Sequence, residues 1–309
     1  MATILITGGT GLVGSALARS LQQQGHTPMI LTRRPEQQRR TEGWRYAAWN
    51  VEAQTIDAQA LAEADAIVHL AGAGVADARW TEKRKQEIVD SRVRSGQLLC
   101  KALRELPNKV KTVVSASAIG WYGADPELPN LRPFVETDPA DGAFLGRTCA
   151  AWEAAIRPVE ELDKRLVIAR IGIVLSRDGG AYAEFRKPMQ FGLAAVMGNG
   201  RQVVSWIHID DLVRLISRML QDDCYRGIYN AVAPQPVANR RLVQAIARAK
   251  GGFHLEAPAP AMVLKMILGE MSIEVLKSAT VSSRKAEAAG FVFNFPHIEG
   301  AAGNLEQRP

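Results

Sequence analysis

A short apolar run, Thr3-Ile4-Leu5-Ile6, ends in Thr7-Gly8-Gly9-Thr10-Gly11-Leu12-Val13-Gly14, and this junction restricts the folds open to the chain more than any other stretch. The run reads as a buried strand. Leu12, Val13, Ala16, Leu17 and Leu21 then recur at helical spacing, so the glycines join a strand to a helix. They can be read in two registers, Gly9-x-Gly11-x-x-Gly14 and Gly8-x-x-Gly11-x-x-Gly14. Either register puts a residue without a side chain where backbone must turn tightly or approach a pyrophosphate. The helix would start with free N–H groups and the positive end of its dipole facing the phosphates. The expectation is a dinucleotide-binding loop contacting its ligand through Gly8, Thr10, Gly11, Leu12, Val13 and Gly14.

With 309 residues the chain can bury a large core and exceeds what one nucleotide-binding unit needs, which leaves room for a substrate region. Lys and Arg number 38 against 32 Asp and Glu, a formal charge of +6 spread thinly over the length. Arg33-Arg34, Arg39-Arg40, Lys83-Arg84-Lys85 and Arg240-Arg241 are short clusters, and no basic helix is interleaved with aromatic residues. Nucleic acid is therefore not an expected partner. Cys100, Cys149 and Cys224 stand far apart with no histidine at ligand spacing, so neither a disulfide framework nor a metal site is expected. The apolar N-terminal run has no charged segment before it and stops at Gly8, and no stretch is long enough to span a bilayer. A cytoplasmic protein without membrane contact is expected.

Beyond the first helix, Thr27 to Thr32, Trp44 to Trp49, Ala66 to Leu70, Lys111 to Ser115 and Leu166 to Ile171 read as strands, with helical patterns between most of them. That alternation predicts an α/β fold, a Rossmann-type doubly wound parallel sheet with helices on both faces. Val89, Val93, Gly96, Leu99, Leu103 and Leu106 share one face of a long helix, and another helix is expected from about Gly142 to Leu162. Gly179, Gly180, Pro188, Gly192, Gly198 and Gly200 break up the next stretch, which predicts a loop or lid. Ser205 to Ile209 resumes regular structure. An amphipathic helix through Leu212, Leu215, Ile216, Met219 and Leu220 follows, introduced by Asp210 and Asp211. The expected division is a nucleotide-binding domain over 1–175, joined again by 201–235, with a lid region over 176–200 and a mostly helical substrate-side appendage over 236–309.

In such a unit the partner of the adenosine ribose lies about 20 residues past the glycine loop, at the end of the second strand. The chain has Thr32-Arg33-Arg34 there, with no acid before Glu36. A carboxylate would repel a 2′-phosphate, whereas a guanidinium grips one through paired, charge-assisted hydrogen bonds. NADP(H) is thus the preferred cofactor, with NAD(H) left open.

Together the glycine loop, His69-Leu70-Ala71-Gly72, Ser115-Ala116-Ser117-Ala118-Ile119-Gly120-Trp121-Tyr122-Gly123 and Trp206-Ile207-His208-Ile209-Asp210-Asp211 resemble an extended short-chain dehydrogenase/reductase of the NAD-dependent epimerase/dehydratase type. More narrowly, Gly72 to Thr81, the Trp-Tyr-Gly segment and the C-terminal appendage resemble an atypical subgroup named as nucleotide-sugar epimerases, which includes bacterial YfcH-like proteins and a human member. The resemblance implies that Leu70, Ala71, Gly72, Ser115 and Ala116 join the cofactor site. It also implies a small-molecule substrate such as a nucleotide sugar, oxidation and reduction at one sugar carbon, and an assembly open to homodimerisation through the two long helices.

Family members with established sugar chemistry use a serine together with Tyr-x-x-x-Lys: the phenol shuttles the proton and the ammonium lowers its pKa. Ser117 is expected at the serine position, polarising the reacting oxygen. The matching stretch Phe144 to Glu153 puts Leu145 at the tyrosine position and Cys149 at the lysine position, so neither function is present there. Tyr122 is the substitute by neighbourhood, although packing is its competing role. Arg79, Trp80, Arg170 and His208 are the candidate substrate contacts; His208 and Arg170 have structural roles as alternatives. Two readings result: an NADP(H)-dependent oxidoreductase or epimerase with an unassigned acid/base, or a non-catalytic NADP(H)-binding sensor.

Overall fold

The computed structural model describes residues 1–37 and 43–307, which leaves the basic pair Arg39-Arg40 outside the described residues. Strand β1 (Thr3–Thr7) runs through the glycine loop into α1 (Leu12–Gln23), whose Leu17, Ala18 and Leu21 are buried. Next come β2 (Thr27–Thr32), β3 (Arg45–Asn50), the short β4 (Thr55–Ile56), α2 (Ala58–Glu63) and β5 (Ala66–His69). Asp57 starts α2 by accepting the Ala60 N–H at 3.0 Å. The long α3 (Glu82–Glu105) begins at Thr81, whose hydroxyl accepts the Arg84 N–H at 3.1 Å. It leads to β6 (Thr112–Ala118), α4 (Phe144–Ile156) and β7 (Arg165–Ile171).

The second half contributes β8 (Ile173–Leu175), α5 (Gly180–Met189), β9 (Leu193–Met197), β10 (Val203–Val204), β11 (Trp206–His208), α6 (Ile209–Gln221), β12 (Gly227–Ala231) and β13 (Val237–Ala238). It closes with α7 (Asn239–Lys250), β14 (Leu255–Ala259), α8 (Ala261–Leu268), α9 (Ser272–Leu276), α10 (Arg284–Ala288) and α11 (Ile298–Gln307). Eight strands form one sheet in the order β12-β7-β6-β5-β1-β2-β3-β4, parallel except for β3 against β4. Strand order reverses at β1, which pairs with β2 on one side and β5 on the other, so a crevice opens at the carboxyl ends of β1 and β5. One face of the sheet packs on α1 and α6, the other on α2, α3 and α4.

Three expectations need correcting. The segment expected as loop or lid holds α5 and β9, and Tyr182, Met189, Ala194 and Val196 are buried with α7 and α11 in a core of their own. Its glycines mark turns at the ends of these elements: Gly192, Gly198 and Gly200 all have positive φ. The buried stripe of α3 is rotated from the expected one. Ile88, Arg92, Ser95 and Leu99 are buried while Val89 and Val93 are only half-buried, because α3 packs against α4 as well as the sheet. Finally, α6 is capped by His208, whose Nδ1 accepts the Asp210 N–H at 3.1 Å. Asp211 is fully buried and accepts the N–H groups of Asn294 and Phe295, fastening the C-terminal region to α6.

No helix among the described residues is long and apolar enough to cross a membrane, and no cluster of His, Cys, Asp or Glu among them has the makings of a metal site.

Candidate functional site

The glycine loop is a cradle that side chains would fill. Gly8 has φ +67°, and a Cβ there would lie 2.7 Å from the Leu70 carbonyl oxygen; one on Gly14 would run into the Gly8 carbonyl. Gly11 N–H donates to Gly8 O at 3.0 Å, and α1 starts at Gly11 with no side chain capping its N–H groups. Thr7 Oγ1 accepts the N–H groups of Leu70 and Ala71, both at 3.1 Å, locking the loops after β1 and β5 together. Thr10 and Gly11 are exposed above this junction. Arg33 and Arg34, also exposed, leave the neighbouring strand end, where Arg34 Nη1 donates to Gln37 Oε1 at 3.4 Å. An uncapped helix start and closely approaching backbone fit the pyrophosphate of a dinucleotide.

On the same edge of the sheet, the segments following β5, β6 and β7 enclose a cavity of about 380 Å³. Its walls are chiefly apolar, with Ile119, Leu145, Trp152, Ile173, Phe185 and Met271 among them. Leu145 and Cys149 both face it from α4, so the two positions expected to lack a phenol and an ammonium do meet at one site. Burial, reinforced by the Glu153 carboxylate, pushes the Cys149 thiol up to about 11, and the sulfur donates to Ala118 O at 3.6 Å. It is a neutral, inert thiol. The other ionisable residues lining the cavity are Arg92 on α3 and Glu274 and Lys277 from α9 and its exit, the last two paired at 2.6 Å.

Ser117 is placed elsewhere. Its hydroxyl donates to Glu153 Oε1 at 2.7 Å and is buried, because alternate residues of a strand face opposite sides. The wall residue from this strand end is Ala118. Arg170, a candidate substrate contact, instead holds Glu153 with Nε at 2.8 Å and Nη2 at 3.1 Å, while Nη1 donates to Tyr122 Oη and Glu136 O, each at 3.1 Å. Burial opposes the Arg170 charge, but Glu153 outweighs it and raises the pKa. Tyr122 is fully buried, donates to Asn230 Oδ1 at 2.6 Å and stacks on Phe134. Burial moves its hydroxyl up to about 12.

The remaining candidates also have structural partners. His208 is fully buried, stacks on Phe295 at 3.9 Å and caps α6. Trp80 is buried against Phe144 and donates to Val75 O at 2.9 Å, while exposed Arg79 lies beside Gly269. Ser115 and Ala116 are buried inside β6 and do not line the cavity. Sequence reasoning missed Arg92, Glu153, Glu274 and Lys277. A lone acid among Cys149, Trp152 and Ile156 on the buried face of α4 was the available signal for Glu153; nothing local marks Glu274 or Lys277.

Residues 4–231 match the NAD dependent epimerase/dehydratase family, and residues 259–305 match a domain of unknown function, DUF1731. The chain is 34% identical to an epimerase family protein of Mycobacterium bovis over 100% of its own length and 99% of that protein's. An epimerase family protein of Staphylococcus saprophyticus is also 34% identical, with 97% and 98% covered. Among solved structures, the human epimerase family protein SDR39U1 with NADPH superimposes with a TM-score of 0.88 at 30% identity, over 99% of this chain and all of that one. A nucleoside-diphosphate sugar epimerase from Corynebacterium glutamicum gives 0.77 at 29% identity, over 99% of this chain and 58% of that one. A Thermus thermophilus UDP-glucose 4-epimerase in complex with NAD gives 0.77 at 19% identity over 98% of each chain, a likeness of fold alone.

Proposed function

The chain belongs to the NAD-dependent epimerase/dehydratase family, and from that premise we propose that it is an NADP(H)-dependent oxidoreductase or epimerase of the extended short-chain type, acting on a nucleotide sugar or related carbonyl compound. The observation that carries this reading is the opening of the glycine cradle and the 380 Å³ cavity on one edge of the sheet. Gly8 to Gly14 would hold the pyrophosphate, and Arg33 with Arg34 the 2′-phosphate. The 30% identical human structure with NADPH adds support. The bound cofactor would supply or accept a hydride. Leu145 and Ala118 would then exclude water from the reacting carbon, and the Lys277–Glu274 pair, the cavity's one close acid–base pair among the described residues, would give or take the proton on oxygen.

One observation favours a second reading, a non-catalytic NADP(H) sensor: at the two positions where the family's phenol and ammonium are expected, the cavity is lined by Leu145 and a neutral Cys149. Titrating NADPH and NADH, and then offering nucleotide sugars and small carbonyls, separates the two. NADPH should bind about tenfold more tightly, a preference lost in R33A/R34A. Turnover should fall in K277M with NADPH binding unchanged. Equal affinity for NADH sinks the cofactor assignment, and absence of turnover with a partner that binds only in the presence of NADPH establishes the sensor.

A further inference from the structure

The cavity wall has a corner that offers more hydrogen bonds than the acceptors among the described residues take up. Arg92 is 9% exposed, and both of its hydrogen bonds come from Nη1, to Ala73 O at 3.0 Å and Ile88 O at 2.9 Å. Among the described residues Nε and Nη2 have no partner, and no carboxylate oxygen lies within 4.0 Å of the guanidinium. Its plane is carried by Trp152, 4.9 Å from the ring centroid, and the indole N–H of Trp152 is itself buried without a partner among the described residues. Gly72 leaves room for this placement, since a Cβ there would come within 3.1 Å of Arg92 Cζ. The nearest other charges do not neutralise it: Arg84 is a like charge, and Asp77 is exposed and turned to Arg84 at 3.5 Å.

A guanidinium cannot shed its proton inside a protein, and a buried charge without a counter-charge is unfavourable. A planar fork with two open donors is complemented by an oxyanion. The rest of the wall is chiefly apolar, with Thr148, Ser205, Asn239 and the Lys277–Glu274 pair as its polar members, and would leave most hydroxyls of a bare sugar ring without partners.

We propose that Arg92 is an oxyanion-recognising residue, and that the cavity takes a ligand whose apolar body carries a carboxylate or a phosphate. Trp152 positions the guanidinium. The inference rests on the reading of this cavity as the substrate site, and it narrows the substrate class to acids.

Calorimetric titration of the full-length protein tests it, with benzoate against benzamide and phenyl phosphate against phenol, in the presence and absence of saturating NADPH. The wild type should bind at least one anion about tenfold more tightly than its neutral counterpart, with R92Q losing that preference and R92K keeping part of it. Preference for benzoate identifies the group as a carboxylate, and preference for phenyl phosphate identifies a phosphate. Circular dichroism of R92Q and R92K checks that each is folded, and R92K carries the comparison where R92Q is not. The absence of an anion preference in the wild type overturns the inference, as does a preference that survives in R92Q. NADPH affinity lowered about tenfold in R92Q, with anion preference unchanged, transfers Arg92 to the cofactor and also overturns it. Failure of the wild type to bind NADPH defeats the proposed function instead, since the anion preference is read separately in cofactor-free protein.

Discussion

Arg92 and Arg170 are both buried and both lie over an indole, Arg92 at 4.9 Å from Trp152 and Arg170 at 3.6 Å from Trp121. They differ in what completes them. Arg170 meets both oxygens of Glu153, the hydroxyl of Tyr122 and the carbonyl of Glu136, all supplied by the chain itself. Arg92 has two backbone carbonyls on one nitrogen and, among the described residues, nothing on the other two. A buried cation closed by its own fold is architecture, while one left open on a cavity wall is available to a ligand. The sequence pattern cannot separate these cases, because the residue type and the burial are shared and only the partners differ.

The sharpest way to break the comparison is to open the closed site. Arg170→Met or Glu153→Gln should each destabilise the protein by about 3–5 kcal/mol, because each leaves an uncompensated buried group behind. The double variant should recover most of that loss, since neither charge is then orphaned. Urea unfolding at neutral pH measures all three. A loss below about 1 kcal/mol in Glu153→Gln would mean that Arg170 is not closed by Glu153, and the contrast with Arg92 would collapse.

What the sequence made legible follows from where the determinants are local. The glycine loop, the alternation of strands and helices and the long α3 are written in contiguous periodicity, and the sheet is parallel as expected apart from β4. The meeting of Leu145 and Cys149 on one cavity was also readable, because four residues apart on a helix share a face. The Ser117–Glu153–Arg170 network was not, since it joins three elements and depends on which side of β6 faces α4. Ser117 and Ala118 are neighbours in sequence and face opposite ways, so a shift of one residue in alignment exchanges a catalytic assignment for a structural one. Glu274 and Lys277 were hidden for the same reason: they reach the cavity from the C-terminal region, with no motif of their own.

A second effect, smaller at neutral pH, reads the charge of Arg92 from its neighbour. His69 is fully buried between Thr7 Oγ1 at 2.9 Å and Ser95 Oγ at 3.3 Å. Burial, with the Arg92 charge adding to it, pulls its pKa from 6.5 to about 3. The folded protein therefore keeps the imidazole neutral while the unfolded chain takes up a proton below about 6.5. His69's stabilising contribution is whole above that pH and is lost progressively as the pH falls toward 3. The stability difference between wild type and His69→Gln, followed from pH 7 to pH 4, isolates this slope from that of the carboxylates. A difference that does not change with pH would show that His69 is not held neutral, and Arg92→Met should raise the pH at which the imidazole titrates.

The smallest expected effect is the one that tells most about the open site. Arg92→Met removes two hydrogen bonds to the carbonyls of Ala73 and Ile88, each worth about 1 kcal/mol. It also removes a buried charge that no described residue balances, and an apolar side chain of similar length can keep the packing against Trp152. The two changes oppose each other, so stability should move by less than about 1 kcal/mol in either direction. That near-neutrality would set Arg92 apart from Arg170, whose loss has no compensating gain because its charge is already balanced. A penalty for Arg92→Met as large as that for Arg170→Met would mean that the fold needs both arginines equally, and the distinction between a closed site and an open one would be gone.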